Sequence, residues 1–269
     1  MQPLKPCERR RPPADIHRPF LLSQVNQHPH LHRRLEPLGL DRRWVGLLDR
    51  LRHRSAGNRT SRKHTHAGPN CDSNPAPLNQ CYSQAEIAYF KEIALGGEGG
   101  LGPAITYKWY GPIRLAVRGS STQSDLDEID RVAVELSSLT GLSISRVTTG
   151  WNSLIYFTTI AEYADIQQYF DPECCCLAHV SVWGRTIYRM EVWVGTEQSS
   201  TTRRHQIREE MTQGLGLLQD SWGYPRSAFY QGWSDTTEFA AIDRAIIRLL
   251  YEPEILPGMT LADLEALGL

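Results

Sequence analysis

The uneven distribution of charge most constrains what this chain can fold into. Residues 1–84 carry 15 lysines and arginines against 6 acidic residues, whereas residues 85–269 carry 14 against 24. The near-neutral total of −1 therefore hides segments of net charge +9 and −10. The first segment is rich in Pro, Arg, His and Ser, so it cannot bury enough apolar surface to offset its chain entropy. We expect a disordered Arg/His/Pro-rich tail and linker over residues 1–80, followed by one domain over residues 81–269.

The basic tail has two interpretations. Clusters such as Arg9-Arg10-Arg11 are typical of arms that bind nucleic acid. Alternatively, the charges are only solvated, because the clusters come without the aromatic residues on which bases stack. We favour the second interpretation and do not expect nucleic acid as the partner. Within the tail, residues 38–51 have the apolar spacing of a single amphipathic helix.

The chain as written shows no membrane or export signal. No run approaches the roughly 20 apolar residues that a membrane span needs. No apolar run of about 7 to 15 residues follows the early arginines, as a signal peptide would require. We therefore expect no transmembrane segment and no signal peptide in this chain.

The cysteine pattern argues against a zinc ribbon. The six cysteines include three consecutive ones, Cys174 to Cys176, which cannot converge on one metal ion as a CxxC pair does. In an oxidising compartment, Cys81 could form a disulfide with one of these three. In a reducing compartment, all of them would be thiols, and the spacing does not choose between the two.

Apolar periodicity predicts an α+β domain with one sheet. A helical pattern begins at Ala85, and a helix capped by Ser124 or Asp125 runs to about Leu139. Further helices are predicted at about 203–218, with Thr201 or Thr202 as cap, at 237–251 and at 261–267. Strands are predicted at 113–117, 142–147, 153–158, 178–183 and 186–194, and the last two resemble a hairpin around Gly184-Arg185. This order of elements is typical of an α+β protein.

The most informative stretch lies on the predicted helix at 203–218. A helical wheel places Ile207, Met211 and Leu215 towards the core, and it places Glu210 and Gln213 on the adjoining flank. Glu209 lies beyond them and is expected to be exposed. His205, Glu209 and Gln213 share one polar face, which we interpret as a solvated surface.

This stretch resembles the metzincin motif HExxHxxGxxH, in which helix histidines bind zinc and the glutamate activates a water molecule. Glu210 stands at the position of the general base, and Gly216 stands at the turn glycine. Glu209, Gln213 and Gln219 stand where the three zinc-binding histidines would be. A glutamine amide is a poor zinc ligand, so the resemblance implies a degenerate site without metal or other cofactor.

Two downstream segments extend the resemblance. Ser227-Ala228-Phe229-Tyr230 is similar to the Met-turn of matrixin-type peptidases, with Phe229 at the methionine position. The helix ending at Leu250-Tyr251 is similar to the last helix of those peptidases. The resemblance implies a metzincin-like core with one mixed sheet, a motif helix and a C-terminal helix.

Nearly all of residues 85–269 resembles a bacterial family catalogued as domain of unknown function 2927. Its typical features are Trp109, Asn152, Leu250-Tyr251 and Pro257-Gly258-Met259. Members often begin with an export signal, whereas this chain has the basic tail instead. Localisation is therefore left open by the sequence.

Three functional hypotheses follow. The first is a non-catalytic domain that binds a peptide, glycan or protein in the inherited cleft, beside Asp220 and Tyr230. The second is a hydrolase that uses Glu210 as general base with an unusual metal or none. The third assigns nucleic-acid binding to the tail. For the first, we expect Glu210, Gln213 and a tyrosine, either Tyr230 or Tyr224, to form a hydrogen-bonded network. We expect Trp222 and Trp233 to line the core or a cleft rather than a ligand cage. The spacing also allows an aromatic rim of Trp222, Tyr224, Tyr230 and Trp233.

Overall fold

A computed structural model describes residues 77–97, 102–159, 161–162 and 176–269, without the side chains of residues 176 and 177. The expected disorder of the tail and the helix at 38–51 lie outside these residues and stay predictions. No helix within the described ranges is long and apolar enough to cross a membrane.

One mixed sheet of five strands forms the centre of the domain, as predicted for an α+β protein. The strand order is β2-β1-β3-β5-β4, in which β4 is antiparallel to β5 and all other pairs are parallel. The strands are β1 (Ile113–Gly119), β2 (Ile144–Arg146), β3 (Ser153–Thr158), β4 (Cys176–Trp183) and β5 (Thr186–Gly195). The predicted β4–β5 hairpin is confirmed, and its turn contains Gly184 at φ +65°, a conformation that favours glycine.

Within the described ranges, six helices accompany the sheet. They are α1 (Leu78–Cys81), α2 (Gln84–Ala94), α3 (Gln123–Thr140), α4 (Ser200–Gln213), α5 (Ala241–Tyr251) and α6 (Leu261–Ala266). The predicted caps of two helices were wrong by a few residues. Thr122 caps α3 in a capping box with Asp125, and Ser199 caps α4 by accepting a hydrogen bond from the backbone N–H of Thr202.

The hydrophobic core joins one face of the sheet to the helices. Leu115, Ile155 and Val192 lie on neighbouring strands, and all three are fully buried. Helix α4 packs against β4 and β5, while α3 packs against α4 and α5. Helix α4 is thus enclosed between the sheet and another helix, and this position governs the chemistry of its side chains.

The cysteine alternatives are partly resolved. Cys81, the last residue of α1, is disulfide-bonded. The side chains of the other five cysteines lie outside the described part of the chain. The expected partner among Cys174 to Cys176 therefore stays a prediction.

Candidate functional site

Helix α4 carries the motif residues, and it is buried on nearly every side. Ten of its fourteen residues are buried, including Arg208 and Glu210, which are fully inaccessible to solvent. Glu209 is also buried, so its expected exposure was wrong. The predicted solvated face of His205, Glu209 and Gln213 does not exist, because the loop that follows the helix covers it.

Arg208 is the centre of the ionic contacts on one side of α4. Its Nη1 atom lies 2.5 Å from Oε2 of Glu135, and its Nη2 atom lies 3.4 Å from Oε1 of Glu128. The guanidinium also stacks over the ring of Phe239 at 4.2 Å from the ring centroid. A buried cation needs such partners, because removal of its water shell is otherwise very unfavourable.

Other arginines extend these contacts across three helices. Arg203 binds Asp125 at 3.0 Å, and Arg204 binds Glu128 at 3.2 Å. Arg244 of α5 binds Glu135 at 3.1 Å. Burial alone would raise the pKa of Glu135, but the guanidiniums of Arg208 and Arg244 more than offset it and hold this pKa below its usual range.

A polar strip lies on the side of α4 that faces the following loop. Nδ1 of His205 lies 2.8 Å from the carbonyl oxygen of Thr236, and Nε2 lies 3.6 Å from Oε2 of Glu209. Nε2 of Gln213 donates a hydrogen bond to Oδ1 of Asp220 at 2.7 Å. Burial lowers the pKa of His205, although the Thr236 carbonyl opposes this effect. The strip thus joins α4 to the loop at two points.

The side chain of Gln219 is directed to helix α2 and not to Gln213. Its backbone N–H donates to the carbonyl oxygen of Ile93, and its side-chain Nε2 donates to the carbonyl oxygen of Leu95, both at 3.1 Å. Gln219 is therefore attached to the C-terminal end of α2. It is Asp220, not Gln219, whose side chain meets Gln213.

The turn after α4 leaves no space for a side chain at Gly216. This residue has φ +115°, and a Cβ atom there would lie 1.9 Å from the carbonyl oxygen of Tyr107. Nε1 of Trp109 donates to the carbonyl oxygen of Gly214, and the hydroxyl of Tyr251 donates to that of Leu215, both at 2.9 Å. The end of the motif helix is thus fixed from two directions.

The segment that resembles a Met-turn is anchored on Asp243 of α5. Oγ of Ser227 donates to Oδ1 of Asp243 at 2.5 Å, and the N–H of Ala228 donates to Oδ2 at 3.0 Å. Burial raises the pKa of Asp243, although these hydrogen bonds oppose the effect. Phe229 is fully buried and Tyr230 is half-buried. The hydrogen bond expected between Tyr230 and Glu210 stays a prediction.

This segment lies within residues 221–233, which carry several exposed aromatic rings. We call residues 221–233 the aromatic loop. Trp222 is 63% exposed and Trp233 is 54% exposed. The Trp222 ring packs edge-on against Tyr230 at 5.7 Å, and Tyr224 packs edge-on against the buried Tyr89 at 4.7 Å. Of the four aromatic residues considered for a rim, Trp222, Tyr224 and Trp233 are exposed to solvent and Tyr230 is half-buried.

The motif positions do not fit a zinc ion. The side chains of Gln213 and Gln219 are directed to different elements, because Gln213 donates to Asp220 and Gln219 donates to the carbonyl oxygen of Leu95, so they do not converge on one ion position. Within the described ranges, no group of three His, Cys, Asp or Glu side chains is placed to hold a metal ion. A neutral amide is also a weak ligand for zinc compared with imidazole or thiolate.

Comparison with protein families decides where the chain belongs. The model of the family described as "Protein of unknown function (DUF2927)" matches residues 84–267. The chain belongs to this family. A search of curated proteins finds no match.

Among solved structures, two of myroilysin are similar to this DUF2927 chain. Both are 12% identical to it, with TM-scores of 0.37 and 0.38. The alignments cover 54% and 66% of this chain and 95% and 97% of the myroilysin chains. A likeness of this strength carries no argument about activity.

The residues on which the sequence resemblance to the family rests make structural contacts in this chain. Besides Trp109 and Tyr251, Asn152 accepts a hydrogen bond from the N–H of Arg114 at 2.8 Å and donates to the carbonyl oxygen of Pro112. Gly258 donates its N–H to the carbonyl oxygen of Thr106 at 2.7 Å. These hydrogen bonds connect the sheet to the segments at the ends of the helices. They therefore stabilise the fold and indicate no catalytic role.

Sequence reasoning missed the ionic contacts of Arg208. The signal that could have found them is the spacing of Asp125, Glu128 and Glu135 on α3, which places three carboxylates on one face beside the apolar stripe. Arg204 and Arg208, one turn apart on α4, have the complementary spacing. It also missed Lys108, whose buried Nζ donates to the carbonyl oxygens of Leu250, Glu252 and Ile255 at 3.1, 3.1 and 2.6 Å.

Proposed function

We propose that this domain is a metzincin-like binding domain without peptidase chemistry, which takes a peptide, glycan or protein ligand at the aromatic loop. The observation that carries the proposal is the contrast between its two candidate surfaces. The motif residues of α4 are buried and engaged with one another or with neighbouring elements. The ring of Trp222 is packed edge-on against Tyr230 yet open to solvent, and the ring of Trp233 is also open to solvent.

The hydrolase alternative is disfavoured by the position of Glu210. A general base has to lie within hydrogen-bond reach of the proton that it removes from a substrate or from water. Glu210 is fully buried, and no zinc fits the positions beside it that would otherwise activate water. In the described part of the chain, Glu210 is fully inaccessible to solvent, so a substrate does not reach this carboxylate.

The nucleic-acid alternative rests on the tail alone. Residues 85–269 have a net charge of −10, which repels a phosphate backbone. Salt-dependent binding of DNA by the full chain would support this alternative, and the domain itself gives no reason to expect it.

The proposal is tested by separating chemistry from binding. The full chain is incubated with a peptide library in the presence of zinc, and cleavage is followed by mass spectrometry with Glu210→Gln as control. We expect no cleavage by either protein. Cleavage by the wild type that Glu210→Gln abolishes would contradict the proposal.

Binding is measured on peptide and glycan arrays with the same protein. We expect a ligand whose binding is weakened by Trp222→Ala but not by Trp183→Ala. Trp183 is a matched control, because it is also 63% exposed but lies at the end of β4. Equal effects of the two substitutions would show that the aromatic loop is not the binding surface.

A further inference from the structure

The aromatic loop carries two exposed indole rings on neighbouring segments of its backbone. The N–H of Gln231 donates to the carbonyl oxygen of Ser221 at 2.9 Å, so the two ends of the loop lie side by side. A Cβ atom at Gly232 would lie 3.1 Å from Cζ3 of Trp222. The Trp222 ring therefore lies against the residue that precedes Trp233, and the two indoles belong to one part of the surface.

The indole faces are accessible to a flat ligand. The Trp222 ring meets Tyr230 at an interplanar angle of 87°, and such an edge-on contact covers at most one face of the indole. Trp222 is 63% exposed and Trp233 is 54% exposed. A pyranose ring presents a row of C–H groups on one side, and these groups pack against the electron-rich face of an aromatic ring. Exposed indole faces therefore suit a sugar ring.

The backbone and the charge of the loop disfavour two common modes of peptide recognition. A peptide that binds as an added strand needs unpaired backbone groups on its host. Many backbone N–H groups of the loop already donate within the protein, and they include those of Ser221, Gly223, Ser227, Ala228, Phe229 and Gln231. An acidic or phosphorylated peptide needs a cluster of arginines, and the loop contains only Arg226.

Polar side chains beside the indoles are available to the hydroxyl groups of a sugar. Arg226 and Asp235 are exposed, and Gln231 is half-buried. Among the described residues, no hydrogen bond or ion pair engages the side chains of these three residues. Guanidinium, carboxylate and amide groups are planar, and each can form hydrogen bonds with two neighbouring hydroxyls. The site thus combines apolar faces with hydrogen-bonding groups.

From these observations we infer that the aromatic loop binds an uncharged oligosaccharide. The inference rests on the proposed function and names its class of ligand. Sugar rings stack on Trp222 and Trp233, and their hydroxyls form hydrogen bonds with the polar side chains of the loop and of Asp235. Residues 85–269 have a net charge of −10, which repels sugars that carry carboxylate or sulfate groups.

The test presents the full chain with an array of oligosaccharides and peptides. The uncharged oligosaccharides are built from glucose, mannose, galactose or N-acetylglucosamine, and the acidic ones contain uronic acids or sulfated sugars. We expect binding to at least one uncharged oligosaccharide. The oligosaccharide with the strongest signal is then titrated by calorimetry against the wild type and its variants.

Substitutions locate the site. Trp222→Ala and Trp233→Ala should each weaken binding of this oligosaccharide by about 10-fold or more, because buried aromatic contacts dominate the affinity of most binding sites. Trp183→Ala should change it less than about twofold, because Trp183 is also 63% exposed but lies at the end of β4. Thermal melting of each variant shows that the loss is not due to unfolding.

The possible outcomes separate this inference from the proposed function. Binding of no uncharged oligosaccharide, binding of acidic sugars alone, or an equal loss with Trp183→Ala would overturn the inference. Binding of peptides alone, weakened by Trp222→Ala, would overturn it while leaving the proposed function intact. Cleavage that depends on Glu210 would contradict the proposed function itself.

Discussion

Helix α4 and the aromatic loop are neighbours in the chain. Both depart from the usual pattern, in which charged side chains are exposed and large aromatic side chains are buried. The helix places arginine, glutamate and histidine inside the domain, and Arg208 is 0% exposed. The loop places indole rings outside, and Trp222 is 63% exposed. Charged residues are rarely buried without partners, and large apolar side chains that remain exposed together often mark interaction sites.

This difference in burial indicates that α4 contributes to stability, whereas the loop is free to contact other molecules. The buried charges of α4 are compensated by carboxylates of α3 and by the ring of Phe239, so they serve the packing of helices. The exposed rings of the loop add little to the stability of the fold, because their surfaces remain in water. We therefore assign the motif helix to the stability of the fold and propose that the loop contacts the ligand.

The largest expected effect is the loss of Arg208. Arg208→Met leaves the buried carboxylates of Glu128 and Glu135 with less compensation, and it should lower the free energy of unfolding by about 3–5 kcal/mol. Arg204→Met is the matched control, because Arg204 also binds Glu128 but its side chain is 39% exposed. That change should remove only about 0–1 kcal/mol.

Urea denaturation of the two variants measures the difference. Equal losses would show that burial does not distinguish the two arginines. A gain in stability with Arg208→Met would show that the ion pairs are maintained for something other than folding, and the comparison of helix and loop would then lose its basis.

A smaller effect is expected from His205 and depends on pH. Burial lowers its pKa below the ordinary 6.5. Below pH 6.5 the unfolded chain therefore binds a proton that the folded chain does not, and stability falls as pH falls through this window, by at most about 1.4 kcal/mol per pH unit. His205→Gln should retain the contact with Thr236 and remove this part of the pH dependence.

Denaturation of both proteins between pH 5 and 8 tests this prediction. If the wild type instead gains stability on acidification relative to His205→Gln, the carboxylate of Glu209 at 3.6 Å outweighs burial. The polar strip would then be an ion pair at neutral pH rather than a neutral hydrogen-bonded contact.

The smallest effect is expected in the aromatic loop. Trp222→Ala and Trp233→Ala should each change the free energy of unfolding by less than about 1 kcal/mol, because most of each ring is already in water. Thermal denaturation of the full chain measures the change. A loss comparable to that of Arg208→Met would mean that the loop is part of the core, and its proposed role in binding would lose its main support.

Local sequence patterns predicted much of the fold. The apolar stripe of α3 and the glycine turn between β4 and β5 were recognisable, because the residues that determine these elements lie within a few positions of one another. The same local reasoning failed for α4. Its charged sequence predicts exposure, and the carboxylates that allow its burial lie more than 70 residues earlier, on α3.

The candidate site was predicted in part for the same reason. The aromatic residues that follow the motif were visible in the sequence as a possible rim. The direction of each motif side chain was not visible, because it depends on the partners that folding brings near. Gln219 meets the end of α2, and Gln213 meets Asp220.

We propose that the motif helix does not bind zinc, and a measurement of zinc affinity tests this proposal most directly. The purified full chain is titrated with Zn²⁺ in competition with a chromophoric chelator. The variant Gln213→His, which places an imidazole at one of the zinc-ligand positions of the motif, is titrated in the same way. We predict that the wild type withdraws no zinc from a chelator of nanomolar affinity, because the side chains of Gln213 and Gln219 are directed to separate elements. Stoichiometric zinc binding by the wild type at this affinity, lost on Glu209→Ala, would contradict it.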